Sequence, residues 1–393
     1  MNQNILNTEV QKFISDNLGA DISRIIFSKS PFAAVSSKEL AIQIESKKRT
    51  EKKLPLWFNT PGIYFPVKLS IEQTSSEITA NYKSELVSGD TLIDLTGGFG
   101  VDSYYFSKKF EKVFHCEQNA ELSEIAKNNA KVLGADNIEF FQGDGIEKLL
   151  SQNQKYSCIY IDPSRRVESQ KVFKLEDCEP NIPAHFNALL EKADTLLIKS
   201  SPLLDISSAL KELKNVKEVH VVSVKNDCKE LLFLVKKGFE EEPEIICSAL
   251  TDTGVEKYTF TISEEKNYQI SNYSKPLKYL YEPDVALLKA GCFKLISRDF
   301  GVLKLQQNTH IYTSTEKVNH FIGRTFKILK IWSYSDFGKL NSVKTANVIS
   351  RNFPLQPAEI KKKHKIKDGG DDYLLFVNGP GEELLAVHCH RLV

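Results

Sequence analysis

The chain has almost no net charge. Its 52 Lys and Arg stand against 51 Asp and Glu, a formal +1. No global field therefore steers it to a nucleic acid, and any such partner must be held by local patches. Cysteine is sparse and unpatterned. The seven cysteines form no C-x-x-C pair, which argues against a disulfide framework and a zinc site. Free thiols in a reducing cytosol are the simplest reading. No cluster of His, Cys or carboxylates has metal-ligand spacing. No apolar run approaches the width of a bilayer. The opening MNQNILNTEV has neither the basic region nor the apolar core of a signal peptide. The sequence thus predicts a cytosolic chain with no membrane and no metal, without internal repeats or low-complexity segments.

What is present is an ordinary globular composition, 41% hydrophobic and 26% charged over 393 residues, enough for two to four domains. Residues 1–70 read as helical, with a basic run, SKKRTEKK, at 46–53. From residue 71 the pattern is regular. TSSE (74–77) reads as a capping box with Thr74 as N-cap and Glu77 three places on. Ile78, Tyr82 and Leu86 then fall on one helical face. Apolar strands at 91–96, 112–117, 137–144, 156–162, 195–200, 216–224 and 231–237 alternate with helices as far as 216. That alternation predicts an α/β fold, a parallel sheet covered on both faces. In such sheets ligands bind outside the carboxyl ends of the strands. Beyond residue 240 the alternation stops. Residues 244–262 read as a strand pair, and strands near 325–332 and 373–378 flank a basic helix at 357–365.

Four polar motifs lie at strand ends. LIDLTGGFGVD (92–102) ends a strand in Asp94, then turns through Thr96, Gly97, Gly98 and Gly100 into a helix bearing Asp102. Glycines let backbone approach a ligand closely, and a helix N-terminus favours negative charge. The dinucleotide pattern G-x-G-x-x-G fails in its strict form, because Ser103 stands where its last glycine belongs. HCEQN (115–119) places Glu117 and Gln118 after the second strand. A carboxylate there accepts from a ribose diol, which suits NAD and S-adenosylmethionine equally. QGDG (142–145) puts Asp144 and Gly145 after the third strand, where the acid can accept from an adenine amine. IDPSRR (161–166) follows the fourth. Each motif alone is also an ordinary polar turn.

In this order the four motifs resemble class I S-adenosylmethionine-dependent methyltransferases over residues 71–237. The resemblance implies a Rossmann-like, seven-stranded sheet with an antiparallel last strand. It places Asp94 to Gly100 under the methionine part of the cofactor, Glu117 on the ribose, Asp144 on the adenine, and Asp162-Pro163 at the methyl group. EQTSSEITANYKSELV and NNAKVLGADNIEFFQGD are similar to RNA-cap and tRNA guanine N-methyltransferases, which makes Gln73, Ser75 and Ser76 candidate cofactor contacts. The run RNFPLQPAEIKKKHKIKDGGDDYLLF (351–376) looks like the THUMP-like domain of bacterial methyltransferase-like proteins. KPLKYLYEPDVALLKAGCFKLI (275–296) resembles the ferredoxin-like module that precedes it there. The implied division is a helical region with a basic linker (1–70), the methyltransferase domain (71–240), connecting strands (241–274), a ferredoxin-like module (275–319) and a THUMP-like domain (320–393).

An Asp-Pro corner suits transfer to an amine. A carboxylate and a backbone carbonyl accepting from an exocyclic NH2 orient its lone pair toward the methyl group. Ser164 and Arg165 stand where the N-methyltransferase pattern has a second proline and an aromatic. Arginine can stack on a base or grip a phosphate, so Ser164, Arg165, Arg166 and Lys199 are candidate substrate contacts. Carbon-5 methylation would need a cysteine nucleophile beside the corner. Neither Cys158, in mid-strand, nor Cys178 has that setting. The expectation is methylation of a base in structured RNA, tRNA or rRNA. The alternatives are a non-catalytic RNA-binding relative and an NAD-dependent oxidoreductase.

Overall fold

The computed structural model describes residues 1–165 and 174–392. It divides into two compact units, Met1–Lys217 with Leu232–Glu241, and Glu218–Leu231 with Glu242–Val393.

The larger sheet is built from Gly89–Asp94 (β1), Phe110–Glu117 (β2), Ile138–Gln142 (β3), Cys158–Ile161 (β4), Thr195–Ser200 (β5), Val216–Val224 (β6), Asp227–Lys236 (β7), Glu244–Thr251 (β8) and Gly254–Thr261 (β9). Its order is β9-β8-β6-β7-β5-β4-β1-β2-β3. The five strands β1 to β5 run parallel. Every residue of β4, and Leu196, Leu197 and Ile198 of β5, is buried, as helices on both faces require. Lys225 and Asn226, at φ 52° and 62°, join β6 to β7 with the two left-handed residues of a tight hairpin turn. That hairpin reverses the last strand of the expected seven. The sheet has nine strands because β8 bonds parallel along the free edge of β6, and β9 folds back on β8. The 244–262 strand pair thus forms the outer two strands of this sheet.

Helices of the first unit include Thr8–Asp16 (α1), Ser37–Thr50 (α2), Lys68–Gln73 (α3), Glu77–Ser84 (α4), Val101–Phe106 (α5), Ala120–Val132 (α6) and Gly145–Ser151 (α7). Ile5, Val10, Ile14, Leu40, Ile44 and Trp57 share one core with Val101, Tyr104, Tyr105 and Ile125. The N-terminal helices thus back the two helices that follow β1 and β2. Trp57 is 1% exposed and meets the Tyr104 ring edge-on at 5.0 Å. The basic run is not a free linker. Its first half ends α2, where Lys47 is buried with Nζ 2.9 Å from Ser15 Oγ, and Arg49 pairs with Glu45 at 2.9 Å. Lys53 Nζ donates to the carbonyls of Ile71 and Glu72 at 2.9 and 2.8 Å, neutralising the end of α3 as a cation should.

The smaller sheet comprises Tyr279–Pro283 (β10), Leu303–Gln306 (β11), Thr309–Ser314 (β12), Gly323–Ser333 (β13), Asn347–Arg351 (β14), Asp372–Asn378 (β15) and Leu384–Leu392 (β16), in the order β11-β12-β10-β13-β16-β15-β14. Alternation along β15 sends Leu374 and Phe376 into one core, with Phe337 and Ile360. Leu375 and Val377 enter the other, with Leu280 and Phe326. The basic helix Pro357–His364 lies in this unit. Two of its lysines are engaged, Lys361 on Asp368 at 2.7 Å and Lys363 over the Tyr334 ring at 5.0 Å. Among the described residues, no helix is long and apolar enough to cross a membrane.

Candidate active site

Asp94 closes β1 with its carboxylate buried, 1% exposed. Its Oδ1 accepts from the Thr96 amide at 3.0 Å and its Oδ2 from the Ser103 hydroxyl at 2.6 Å. Burial pushes its pKa up to about 7, against those two hydrogen bonds, and the charges of Asp102 and Asp162 add to the rise. The Ser103 that breaks the dinucleotide pattern is thus a partner of the first acid.

The glycines have different reasons. A Cβ on Gly97 would lie 2.2 to 2.5 Å from three atoms of the His115 ring. His115 is fully buried in β2, with Nδ1 3.1 Å from Ser103 Oγ. Burial pushes its pKa down to about 3, so the ring is neutral. Gly98 has φ +57° and donates its amide to Glu117 Oε2 at 2.9 Å. An added Cβ there would meet nothing nearer than a carbonyl 3.9 Å away, so the turn presents bare backbone to open space. Gly100, at φ +84°, leads into α5. Gly98→Ala tests the cradle. The left-handed backbone should cost about 1–2 kcal/mol of stability, read by urea unfolding. The new methyl should weaken ligand binding; unchanged calorimetric affinity would remove the turn from the site.

Glu117 Oε1 accepts from the Asn119 amide at 2.7 Å, so each oxygen holds one backbone donor and keeps a lone pair. Gln118 Nε2 donates to Asp144 Oδ2 at 2.8 Å, while Asp144 Oδ1 caps α7 through the Glu147 amide at 2.9 Å. Gly145 has a packing reason: a Cβ there would sit 2.4 Å from the Leu95 carbonyl oxygen.

The segment before β1 is pinned from inside. Asp102 Oδ2 accepts the hydroxyls of Ser75 at 2.7 Å and Tyr160 at 2.9 Å. Its Oδ1 lies 3.3 Å from Nζ of Lys83, whose side chain is 0% exposed. Burial alone would raise the Asp102 carboxyl, but Lys83, Lys199 and the two hydroxyls outweigh it and hold it below the usual range. Ser75 and Asp102 are therefore tethers joining α4, α5 and β4. The expected capping box is displaced. Thr74 follows α3 as its C-cap, Ser76 is the N-cap of α4, and Gln73 is the last residue of α3. The Glu77 carboxylate instead accepts the Leu56 amide at 2.5 Å and the Tyr105 hydroxyl at 3.2 Å.

After β4, the Asp162 amide donates to Thr96 Oγ1 at 2.7 Å. Its carboxylate oxygen Oδ2 pairs with Nζ of Lys199, which stands near the end of β5. Pro163 is buried and Ser164 exposed. Ser164 and Arg165 form a short antiparallel ribbon with Cys178 and Glu179. The Arg165 side chain and Arg166 lie outside the described residues. Cys158 is buried, its thiol pushed up to about 12, so it offers no ready thiolate, and Cys178 is 0% exposed. Lys83, Ser103, His115 and Tyr160 belong to this network and carry no motif signal of their own. Only the polarity of Ser103 and His115 beside a glycine turn hints at it.

Residues 89–238 match the family model of RNA cap guanine-N2 methyltransferases, 279–321 a ferredoxin-like domain and 323–391 a THUMP domain-like model. The crystal structure of a candidate methyltransferase from Porphyromonas gingivalis W83 aligns over 100% of both chains, with 30% identity and a TM-score of 0.90. An uncharacterized RNA methyltransferase of Clostridium acetobutylicum is 33% identical over 111 residues, 27% of this chain and 24% of the relative. The 23S rRNA (uracil(1939)-C(5))-methyltransferase of Pasteurella multocida is 32% identical over 84 residues, 21% of this chain and 19% of the relative. The chain thus spans about a quarter or less of these two relatives. The matched families set aside the nicotinamide oxidoreductase alternative. With the strand-end acids, the glycine turn and a whole-length structural match in place, the chain belongs to the class I methyltransferase family that carries a ferredoxin-like module and a C-terminal THUMP-like domain.

Proposed function

We propose that the protein is an S-adenosylmethionine-dependent methyltransferase that modifies a base amine in structured RNA, tRNA or rRNA, at the Asp162-Pro163 corner. One observation carries the reading. The Asp162 amide is bonded to Thr96, at the edge of the glycine turn, while its side chain stays 31% exposed. A partly exposed carboxylate thus stands beside the glycine turn, which supports a role in orienting an acceptor.

The residues fit the cofactor. The open face at Gly98 admits an adenosyl-methionine backbone, and Glu117 has a free lone pair on each oxygen for a ribose diol. Asp144 and Gln118 form the adenine end. Asp94 and Thr96 lie toward the methionine, and Gly97 and Gly100 shape the turn. Lys83 and Lys199 offset Asp102 and Asp162, which leaves Asp94, when ionised, as the unpaired charge that favours a cationic ligand. When bound, S-adenosylmethionine supplies a methyl group on a positively charged sulfur. Asp162 Oδ1 accepts one N–H of the acceptor, aims the nitrogen lone pair, and receives the proton that nitrogen then loses. RNA as partner is supported by the THUMP-like match and by the relatives' names.

Cofactor affinity should rise with pH through about 7. Below that, binding a cation must strip the proton that burial holds on Asp94. Above it, the carboxylate is already charged. Calorimetry between pH 6 and 8 should show the slope, and Asp94→Asn should flatten it. Titrating the cofactor also tests the enzyme reading itself: no binding at any pH would favour a non-catalytic RNA-binding relative. Tritiated cofactor incubated with RNA from cells lacking the gene should label the RNA. Label appearing only in protein or small molecules would end the RNA reading.

A further inference from the structure

The acceptor carboxylate is already half occupied. β4 and β5 are parallel neighbours with Ile161 opposite Ile198, so residues 162 and 199 emerge side by side. Lys199 Nζ bonds Asp162 Oδ2 there. The lysine side chain is 14% exposed and follows three fully buried residues, Leu196 to Ile198. This ion pair is shielded in a way that surface pairs are not.

We infer that Lys199 is a positioning residue, whose ammonium holds Oδ2 of Asp162 so that Oδ1 is the oxygen left for the acceptor amine. The inference rests on the function proposed above. Three constraints carry it. The Asp162 main chain is fixed by Thr96 at 2.7 Å, and its side chain by Lys199, so both ends of the residue are set before substrate arrives. Such preorganisation is where oriented catalysis gains most. The ammonium is a point donor that takes one carboxylate oxygen. An arginine fork would engage both oxygens, as guanidinium–carboxylate pairs do, and leave neither uncommitted for the acceptor. Finally, Lys199 is engaged by Asp162, so it is not free to serve mainly as a phosphate contact. Its charge also helps hold the Asp102 carboxyl below its usual range, which links the acceptor corner to the tether under the cofactor site.

The expected effects separate this role from simple RNA binding. In steady-state transfer to RNA from cells lacking the gene, Lys199→Met should lower kcat between about 10- and 100-fold. KM for RNA and cofactor affinity should stay within about twofold. Lys199→Arg should not rescue kcat, although it keeps the charge. An unchanged kcat in Lys199→Met would overturn the inference. So would a raised KM that Lys199→Arg restores, because a phosphate contact accepts either cation. A second arm does not depend on turnover. Acetic anhydride labelling of the intact protein, read by mass spectrometry at Lys199, should run several-fold faster in Asp162→Asn than in wild type. Equal rates would show that the pair does not form in solution, and would overturn the inference even if wild type proved inert on RNA. That last result would itself count against the proposed function, not against the pair.

Discussion

Asp162→Ala should bind S-adenosylmethionine within about twofold of wild type and transfer its methyl group at least about a hundredfold more slowly. The two halves of this expectation come from different bonds. The tie from residue 162 to the glycine turn runs through its main-chain amide, 2.7 Å from Thr96 Oγ1, and alanine keeps it. The carboxylate is 31% exposed, so its loss leaves no sealed cavity. Lys199 keeps some access to water, 14% of its side chain. What disappears is the carboxylate proposed to orient the substrate amine. Asp162→Asn should fall between the two, because its amide can still accept through oxygen but can also present an N–H to the amine. Single-turnover transfer with calorimetric cofactor affinity checks both halves. A variant that binds and transfers normally would remove Asp162 from the chemistry.

Lys83→Met should destabilise the first unit by about 3–5 kcal/mol, the usual result of stripping one partner from a buried ion pair. Lys83 is 0% exposed and the Asp102 side chain 12%. No water replaces the ammonium easily, and the Asp102 carboxylate would face the low-dielectric interior with two hydroxyls as its remaining donors. Adding Asp102→Asn should recover most of the loss, since a neutral amide oxygen still accepts from Ser75 and Tyr160 without a buried charge. Urea unfolding of the two single variants and the double variant measures this coupling. Additive losses would mean that the lysine and the aspartate act separately. Because Ser75 precedes α4 and Tyr160 lies in β4, the single variant should also loosen the cofactor site.

The sheet was legible because its chemistry is local. Strands buried on both faces read as unbroken apolar runs, and their carboxyl ends show as acids and glycines where the chain must turn. Asp94, Glu117, Asp144 and Asp162 were visible in this way. Lys83 was not. Helical periodicity puts an apolar residue inside and a lysine outside, yet α4 is turned so that Ile78 is 38% exposed and Lys83 fully buried. The partner that reverses the rule, Asp102, lies beyond β1 in the sequence, in α5. The TSSE capping register failed for a related reason. Thr74, Ser75 and Ser76 are all competent caps, and the choice was made by Leu56 and Tyr105, which take the Glu77 carboxylate. The pairing of Lys199 with Asp162 was nearly within reach: once β4 and β5 are taken as neighbours with Ile161 opposite Ile198, the polar residues that follow them emerge side by side. The attachment of β8 to β6 is tertiary, and no local signal distinguishes a strand that extends a sheet from one that connects domains.

The proposed base methylation is tested most directly in the RNA itself. Total RNA from cells with the gene, without it, and carrying Asp162→Ala should be digested and its modified nucleosides quantified by mass spectrometry. The expected result is one methylated nucleoside, its methyl on a base nitrogen, present in the first sample and lost from the other two. Identical nucleoside profiles in all three would contradict the function proposed here.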